Sequence, residues 1–308
     1  MRNRDLKIDG IININKEKGF TSQDVVAIVR KELGYVKAGH TGTLDPNAMG
    51  VLPVCIGKAT KISQYLTDSI KQYRAEVILG ISTDSEDITG NVIKRQDVNV
   101  EEEEISAIVS QFIGEYWQVP PMYSAIKVGG KKLYELARQG KTVERKPRLM
   151  SIHSINILKF DLLSDRFIID VVCSKGTYIR TLCNDIGDKL GVGGCMGELE
   201  RTLAGGFSIE ESITLSELKG HLEKHGKEGL DEIITPIANA LPLRTAIVKD
   251  DYCKALYNGN KLPLISVANE FSQSAGEKLF LTDSFGSLIG IYEVQVENET
   301  LKPLTMVQ

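Results

Sequence analysis

Long apolar runs are missing from this sequence: none approaches the roughly 18 residues that a membrane-spanning helix needs. The start, MRNRDLKIDGIININ, carries charge but no apolar core and no small-residue cleavage site, so no secretory signal is expected. Cysteine is sparse. Cys55, Cys173, Cys183, Cys195 and Cys253 are odd in number, widely scattered and form no C-x-x-C, which predicts reduced thiols and a cytoplasmic protein. Cys55 and Cys173 lie in apolar runs and read as core fillers. Cofactor signatures are absent as well. A phosphate-binding loop would need a glycine where Leu52 stands and Ser or Thr where Ala59 follows Lys58. The glycine cluster 191–197 follows a helical pattern instead of joining a strand to a helix, so it is no dinucleotide fingerprint. His221 and His225 are four apart, but HLEKH lacks the H-E-x-x-H arrangement, and no metal is expected.

What remains is an ordinary globular composition, 42% hydrophobic and 25% charged over 308 residues, long enough for about two domains. The net charge of −4 hides an asymmetry. Residues 82–104 carry Asp84, Glu86, Asp87, Asp97 and Glu101 to Glu104 against Lys94 and Arg95. Residues 127–148 carry eight Lys or Arg against Glu135 and Glu144. Such runs read equally as two solvated faces or, for the basic block near Tyr116, Trp117, Tyr123 and Tyr134, as the footprint of a polyanion.

The pattern predicts a short strand over 10–15, then a helix capped by Thr21 or Ser22, striped by Val25, Ile28, Val29 and Leu33, and stopped by Gly34. Alternation predicts a strand over 73–81, and four glutamates at 101–104 open a helix continuing through Phe112. Two further strands are expected over 151–160 and 166–173, then a helix striped by Ile179, Leu182, Ile186 and Leu190. Residues 219–232 look like a polar linker, and the chain from about 240 onward like a small β domain. Strands outnumber helices without regular βαβ alternation, which favours an α+β fold with a mixed, largely antiparallel sheet. Residues 1–235 are expected to form one domain and 236–308 the other.

One stretch concentrates unusual residues: GHTGTLDPNAMGVLPVCIGKATK, residues 39–61. An Asp-Pro pair can simply mark a turn. Here Asp45 follows His40, Thr41 and Thr43, precedes the apolar run Val51–Ile56, and has glycines at 39, 42 and 50 that let backbone approach a ligand closely. GTYIR (176–180) sets Tyr178 and Arg180 at a strand-to-helix junction, although a buried tyrosine beside a surface arginine is the commoner arrangement. Tyr73 lies between Lys71 and Arg74, as a plain strand aromatic or as a stacking platform beside phosphates.

These residues carry a resemblance. The stretch is similar to the hallmark motif of the TruB family of tRNA pseudouridine synthases, which act on uridine 55 of the tRNA T-arm. The likeness continues through KQYRAEVILGISTDSEDITG, QVPPMYSAIKVGGKKLYELARQG and CSKGTYIRTLCNDIGDKLG and fades near LERTLAGGF, about residues 8–210 in all. The end of the chain is loosely similar to an RNA-binding PUA-like domain. The resemblance implies Asp45 as the catalytic aspartate, Tyr73 as the tyrosine stacking on the target base, and Arg180 as the partner of the carboxylate. Tyr178 would line the same pocket, and His40 and Leu199 would contact the flipped-out nucleotide or the uridine pocket. The chain departs from the family pattern at Lys16-Glu17, where Lys-Pro is common, at Cys195, where histidine is frequent, and at Glu200, where arginine is.

The implied reaction breaks a uridine N1–C1′ bond and rejoins the base through C5. Composition is unchanged, so no cofactor is required. The base leaves its stack for a pocket, and a carboxylate nucleophile splits one hard step into two easier ones, by attack at C6 or at C1′. Arg180 would aim Asp45 through a charge-assisted contact. The Tyr73 hydroxyl would need a lowered pKa or a water to act as a base. The basic block would lie on the tRNA backbone, with Lys127, Lys131, Lys132, Arg138 and Lys141 as phosphate contacts. The expected protein is a monomeric, metal-free, cytoplasmic enzyme with tRNA as its partner. A non-catalytic RNA-binding protein would use the same basic surface. An Asp-dependent glycoside hydrolase would need a second carboxylate that the sequence does not identify.

Overall fold

The computed structural model describes residues 8–268 and 274–308. The charged start, residues 1–7, lies outside the described residues.

β1 (Gly10–Lys16) is buried almost throughout and leads into α1 (Ser22–Glu32). Thr21 caps that helix: its hydroxyl accepts from Asp24 N at 3.1 Å, and the Asp24 carboxylate accepts from Thr21 N at 2.8 Å. Gly34, at φ +80°, supplies the left-handed residue just beyond its end. β2 (Ala38–His40) and β3 (Met49–Ile56) flank the loop that carries Asp45, and β3 is the expected buried apolar run.

After α2 (Ser63–Thr67) comes β4 (Lys71–Leu79), two residues earlier at each end than alternation predicts. Gly80 ends it at φ +77°, and Ile81 belongs instead to a hairpin of β5 (Ile81–Thr83) and β6 (Val92–Arg95). α3 (Glu102–Ser110) has three glutamates in its first turn, matched to the positive end of the helix dipole. β7 (Gly114–Gln118) is followed by a two-stranded hairpin, β8 (Lys127–Val128) and β9 (Lys131–Lys132), and by the single turn α4 (Leu133–Ala137).

β10 (Arg148–Asp161) and β11 (Arg166–Cys173) form the long hairpin expected around residues 164–165, then α5 (Ile179–Lys189) and β12 (Gly194–Ala204) follow, with β13 (Phe207–Ser208) pairing back on β12. The expected linker over 219–232 is helical. α6 (Leu215–His225) starts at a Thr214–Glu217 capping box and buries Leu215 and Leu218, and a 3-10 stretch over Gly226–Glu232 continues it. Polar composition masked this stripe, which begins before the polar segment does.

β14 (Ile234–Thr235) closes one edge of a large sheet ordered β14-β1-β3-β12-β4-β11-β10-β7. Every pairing in it is antiparallel except β12 with β3. Pro53 has no N–H to give, and it falls where β3 changes neighbour, from β12 at Met49 and Gly50 to β2 at Val54–Ile56. A second sheet, β15-β17-β18-β19-β16, gathers β15 (Arg244–Ile247), β16 (Leu262–Pro263), β17 (Lys278–Thr282), β18 (Leu288–Gln295) and β19 (Thr300–Met306), with α7 (Asp250–Tyr257) alongside. The fold is therefore α+β with a mixed, largely antiparallel sheet and a strand-rich C-terminal part.

The core has separate compartments. α3 and α5 cover one face of the large sheet through Ile105, Val109, Ile179, Leu182 and Ile186. α1 and α6 cover β1 and β3 through Val25, Val29 and Leu218. Between the two sheets Ile11, Val51, Phe207, Ile237, Phe280 and Ile291 pack together, so the C-terminal part rests on the back of the strand that bears the Asp45 loop.

Candidate active site

The loop between β2 and β3 is held from several sides. Ser22, at the start of α1, accepts from Leu44 N at 2.9 Å and donates to Leu44 O at 3.2 Å. Pro46 O accepts from Gly19 N at 2.9 Å and from Lys16 Nζ at 3.1 Å, and the same ammonium reaches Phe20 O at 2.7 Å and Glu17 O at 3.0 Å. Arg201 on β12 donates to Val51 O at 2.7 Å and Gly42 O at 3.0 Å. A carboxylate at position 45 is thus carried on a loop whose backbone has few alternatives, as a precisely aimed group requires. Gly50 does not face a ligand, as its place in the motif suggests. At φ +100° it lies against β12, where a Cβ would sit 2.2 Å from Arg201 O.

Arg180 meets this loop from the first turn of α5. Its Nε lies 3.0 Å from Asp45 Oδ2 and its Nη2 3.5 Å from Asp45 Oδ1. The rest of the guanidinium is satisfied by Ser85 O at 3.2 Å, Tyr123 O at 2.9 Å and the Asp87 carboxylate at 3.5 Å. Arg180 is buried, the reverse of the surface arginine that sequence statistics favour. The acidic run is not simply a solvated face either. Its Asp87 turns inward to Arg180, and its Glu86 accepts from the Thr181 hydroxyl. Burial raises the Glu86 carboxyl above its usual range, against the pull of that hydrogen bond and of Arg180.

Tyr73 on β4 stands opposite Arg201 on β12, and the guanidinium charge lies close enough to act on its hydroxyl. Burial holds the phenol above its ordinary value, and the nearby Arg201 charge only partly offsets this. At neutral pH Tyr73 is therefore an O–H group. Lys71 is not the phosphate-facing cation its place beside Tyr73 suggests: it is buried and donates to Thr67 O and Ser69 O, both at 2.7 Å. Arg74 is exposed and pairs with Glu200 at 3.6 Å.

His40 ends β2, and its Nδ1 accepts from Gly42 N at 3.3 Å while Nε2 lies 3.0 Å from the Gln23 amide. Burial, and then Arg201, lower its pKa, so the ring is neutral above its lowered pKa. Tyr178 is the N-cap of α5 and is fixed through its backbone, donating to Gln118 Oε1 at 2.8 Å and accepting from Gln118 Nε2 at 2.9 Å. Leu199 is buried on β12 opposite Ala75, beside a register shift in the β12–β4 pairing. Asp45, Arg180 and Asp87 form one ion-pair network, and the Arg201 charge acts on both Tyr73 and His40.

The basic block splits by element. Lys127, Lys131 and Lys132 lie on the β8–β9 hairpin, with Lys127 directly opposite Lys132. Arg138 and Lys141 are exposed beyond α4, and Arg138 and Lys132 share the Tyr134 ring at 5.5 and 5.3 Å.

Sequence reasoning missed Arg201, Asp87 and Lys16 as parts of this site. Lys16 stood in view as half of a broken Lys-Pro pair; its ammonium braces the loop without the proline. Cys195, in place of a frequent histidine, is fully buried. Arg201 carried no local signal, because its partners lie about 150 residues away in the chain.

The same regions match known proteins. Residues 30–179 match the N-terminal domain model of the TruB family pseudouridylate synthases, and residues 180–242 match the model for the C-terminal domain of tRNA pseudouridylate synthase B. The tRNA pseudouridine synthase B of Alkaliphilus oremlandii is 52% identical over 256 residues, 83% of each chain. That of Lachnoclostridium phytofermentans is 46% identical over 312 residues, covering 97% of this chain and 99% of the relative. Among solved structures, a Cbf5-Nop10-Gar1 complex matches at 30% identity with a TM-score of 0.74, over 97% of this chain and 84% of the other. An H/ACA RNP bound to a substrate RNA containing 2′-deoxyuridine matches at 26% identity and the same TM-score, covering 97% and 85%. Matched by both family models and by close relatives over most of its length, and carrying an arginine-paired aspartate on a braced loop, the chain belongs to the TruB family of pseudouridylate synthases.

Proposed function

We propose that this enzyme isomerises uridine 55 in the T-arm of tRNA, with the base flipped out of its stack and Asp45 as the nucleophile. The observation that carries the reading is the Asp45–Arg180 pair, in which a buried cation holds a carboxylate that stays open to solvent. Attack at C6 of the base and attack at C1′ of the sugar both need such a carboxylate, held on one side and free on the other. The N1–C1′ bond breaks, the uracil turns, C5 bonds to C1′, and the proton lost from C5 is balanced by one gained at N1. Tyr73 would stack on the extruded base, with Leu199, Tyr178 and His40 lining its pocket, and stacking and hydrogen bonding offset the few kcal/mol of unstacking. No redox or activated co-reactant enters this balance.

The β8–β9 hairpin supports a polyanionic partner. Two lysines directly opposite each other repel, and a phosphate backbone relieves that repulsion. In this reading Lys127, Lys131, Lys132, Arg138 and Lys141 contact phosphates. Residues 1–235 form the catalytic unit, since the large sheet ends at Thr235, and residues 236–308 an RNA-binding domain of PUA-like kind. All proposed site residues come from one copy of the chain, so a monomer suffices. The described cysteines are unpaired, which fits a reducing cytoplasm, and no described helix is long and apolar enough to cross a membrane.

Incubation with unmodified tRNA followed by nucleoside mapping tests the assignment. Pseudouridine at position 55 is the expected product. Its absence there, with pseudouridine elsewhere, would move the substrate, and no pseudouridine at all would leave an RNA-binding protein without turnover.

A further inference from the structure

The histidines of HLEKH take no part in the site described above, yet the fold gathers them. His221 and His225 are four apart on α6 and so share one face of the helix. Their rings stack with centroids 4.7 Å apart and planes inclined by 27°. The 3-10 stretch Gly226–Glu232 doubles back over the helix end and brings in a third group, Glu232. One ligand atom from each of the three residues lies within 4.8 Å of the other two. Gly229 makes this return possible: a Cβ there would lie 2.4 Å from His225 Cβ and 3.0 Å from His221 Nε2.

His221 is also oriented. Its Nε2 is 2.7 Å from Gly229 O, and a carbonyl only accepts, so Nε2 carries the proton and Nδ1 keeps a free lone pair. A backbone carbonyl on the far nitrogen is how proteins fix imidazoles for ligation. Among the described residues, neither the His225 ring nor the Glu232 carboxylate has a hydrogen-bond or ion-pair partner, so the ligand atoms of both are uncommitted.

We propose that His221, His225 and Glu232 bind one divalent transition-metal ion of the zinc class, with water in the fourth position. Two imidazole nitrogens and a carboxylate oxygen suit such an ion better than magnesium or calcium, which prefer all-oxygen sets. Bonds of about 2 Å in a tetrahedral site set the ligand atoms roughly 3.3 Å apart. Loading therefore draws the exposed His225 and Glu232 side chains inward by about an ångström. The helix spacing by itself offers two ligands; the third comes only from the fold. Glu232 also borders the cleft between the two sheets, two residues before β14. The ion is thus a clip that ties α6 to the connection between the two parts of the chain, and it shares no residue with the Asp45 network.

The test is zinc titration of the untagged protein against a chromophoric chelator, with thermal unfolding and the Co(II) absorption spectrum as second readouts. Wild type should take up one equivalent of zinc, with a Tm that rises with zinc concentration. His225→Ala and Glu232→Gln, both exposed and expected to fold, should each weaken binding by at least about tenfold and lose the Tm shift. The rate of pseudouridine formation at saturating tRNA should be unchanged by zinc or by EDTA. Equal zinc binding by wild type and both variants would overturn the site. So would a Co(II) spectrum dominated by thiolate charge transfer, which would assign the ion to cysteines, or a turnover rate that follows zinc occupancy.

Discussion

Arg180 and Asp45 form an ion pair of unequal exposure: Nε lies 3.0 Å from Oδ2, with the arginine side chain 7% exposed and the carboxylate 44%. The buried partner is neutralised and fully hydrogen-bonded by its own surroundings, so it acts as a fixed anchor. The exposed partner keeps lone pairs for a substrate.

Asp45→Asn keeps the shape of the side chain and removes the nucleophile. Isomerisation should be abolished while tRNA affinity stays within a small factor of wild type. Single-turnover assays beside filter binding check this, and substantial residual turnover in the purified variant would sink the role of Asp45.

Tyr73→Phe keeps the ring for stacking and removes a hydroxyl that is protonated at neutral pH. Turnover should fall by roughly 10² to 10⁴, the range for a positioned proton-transfer group, with little change in KM. A fully active phenylalanine variant would show that stacking alone is needed.

Arg201→Met should damage stability and chemistry together. The side chain is 1% exposed, and its removal orphans Val51 O and Gly42 O and takes a cation from beside Tyr73. At about 1–3 kcal/mol for each buried group left unpaired, we expect a loss of about 2–4 kcal/mol after relaxation. Denaturant unfolding gives that number, and kcat should drop even where the variant is fully folded. Normal kcat in a folded variant would reduce Arg201 to a packing residue.

Lys16 makes a prediction about pH. Burial pulls its ammonium down to about 8 from the usual 10.5, against the opposing charge of Asp45. Between those values the unfolded chain binds more protons than the folded one, so this group's contribution to stability rises with pH across the window. Below about pH 8 both states are protonated and the contribution is flat. Buried Lys71 behaves the same way, so the variant must isolate Lys16. The stability of wild type relative to Lys16→Met should therefore be level up to pH 8 and shift in favour of wild type from pH 8 to 10. A level difference throughout would mean that Lys16 titrates as an exposed lysine.

The hairpin lysines should be visible in salt dependence. Each neutralised phosphate contributes roughly 0.7 to 0.9 to the slope of log affinity against log salt. Lys127→Ala combined with Lys131→Ala should flatten that slope by about one to two units, raise KM for tRNA and leave the saturated rate nearly intact. Both residues are exposed, so the fold is not at risk. Parallel lines for variant and wild type would make this hairpin a solvated face.

The local features of the chain were legible in its residues. The α1 cap at Thr21, the buried run of β3, the α5 stripe and the hairpin of β10 and β11 follow from periodicity and turn chemistry, which act over a few residues. The Asp45 motif and GTYIR were legible too, because their unusual residues are consecutive. Tertiary structure alone decided the rest. It set Arg201 against Tyr73 and Gly42, turned Asp87 and Glu86 out of an acidic run and onto α5, buried Lys71, and made α6 from an apparent linker. A buried charge is recognisable only by the carbonyls and carboxylates that surround it, and here those partners come from strands and loops up to 159 residues apart. Sequence pattern records what a residue is and what stands next to it; the folded sheet decides which distant group removes the cost of burying it.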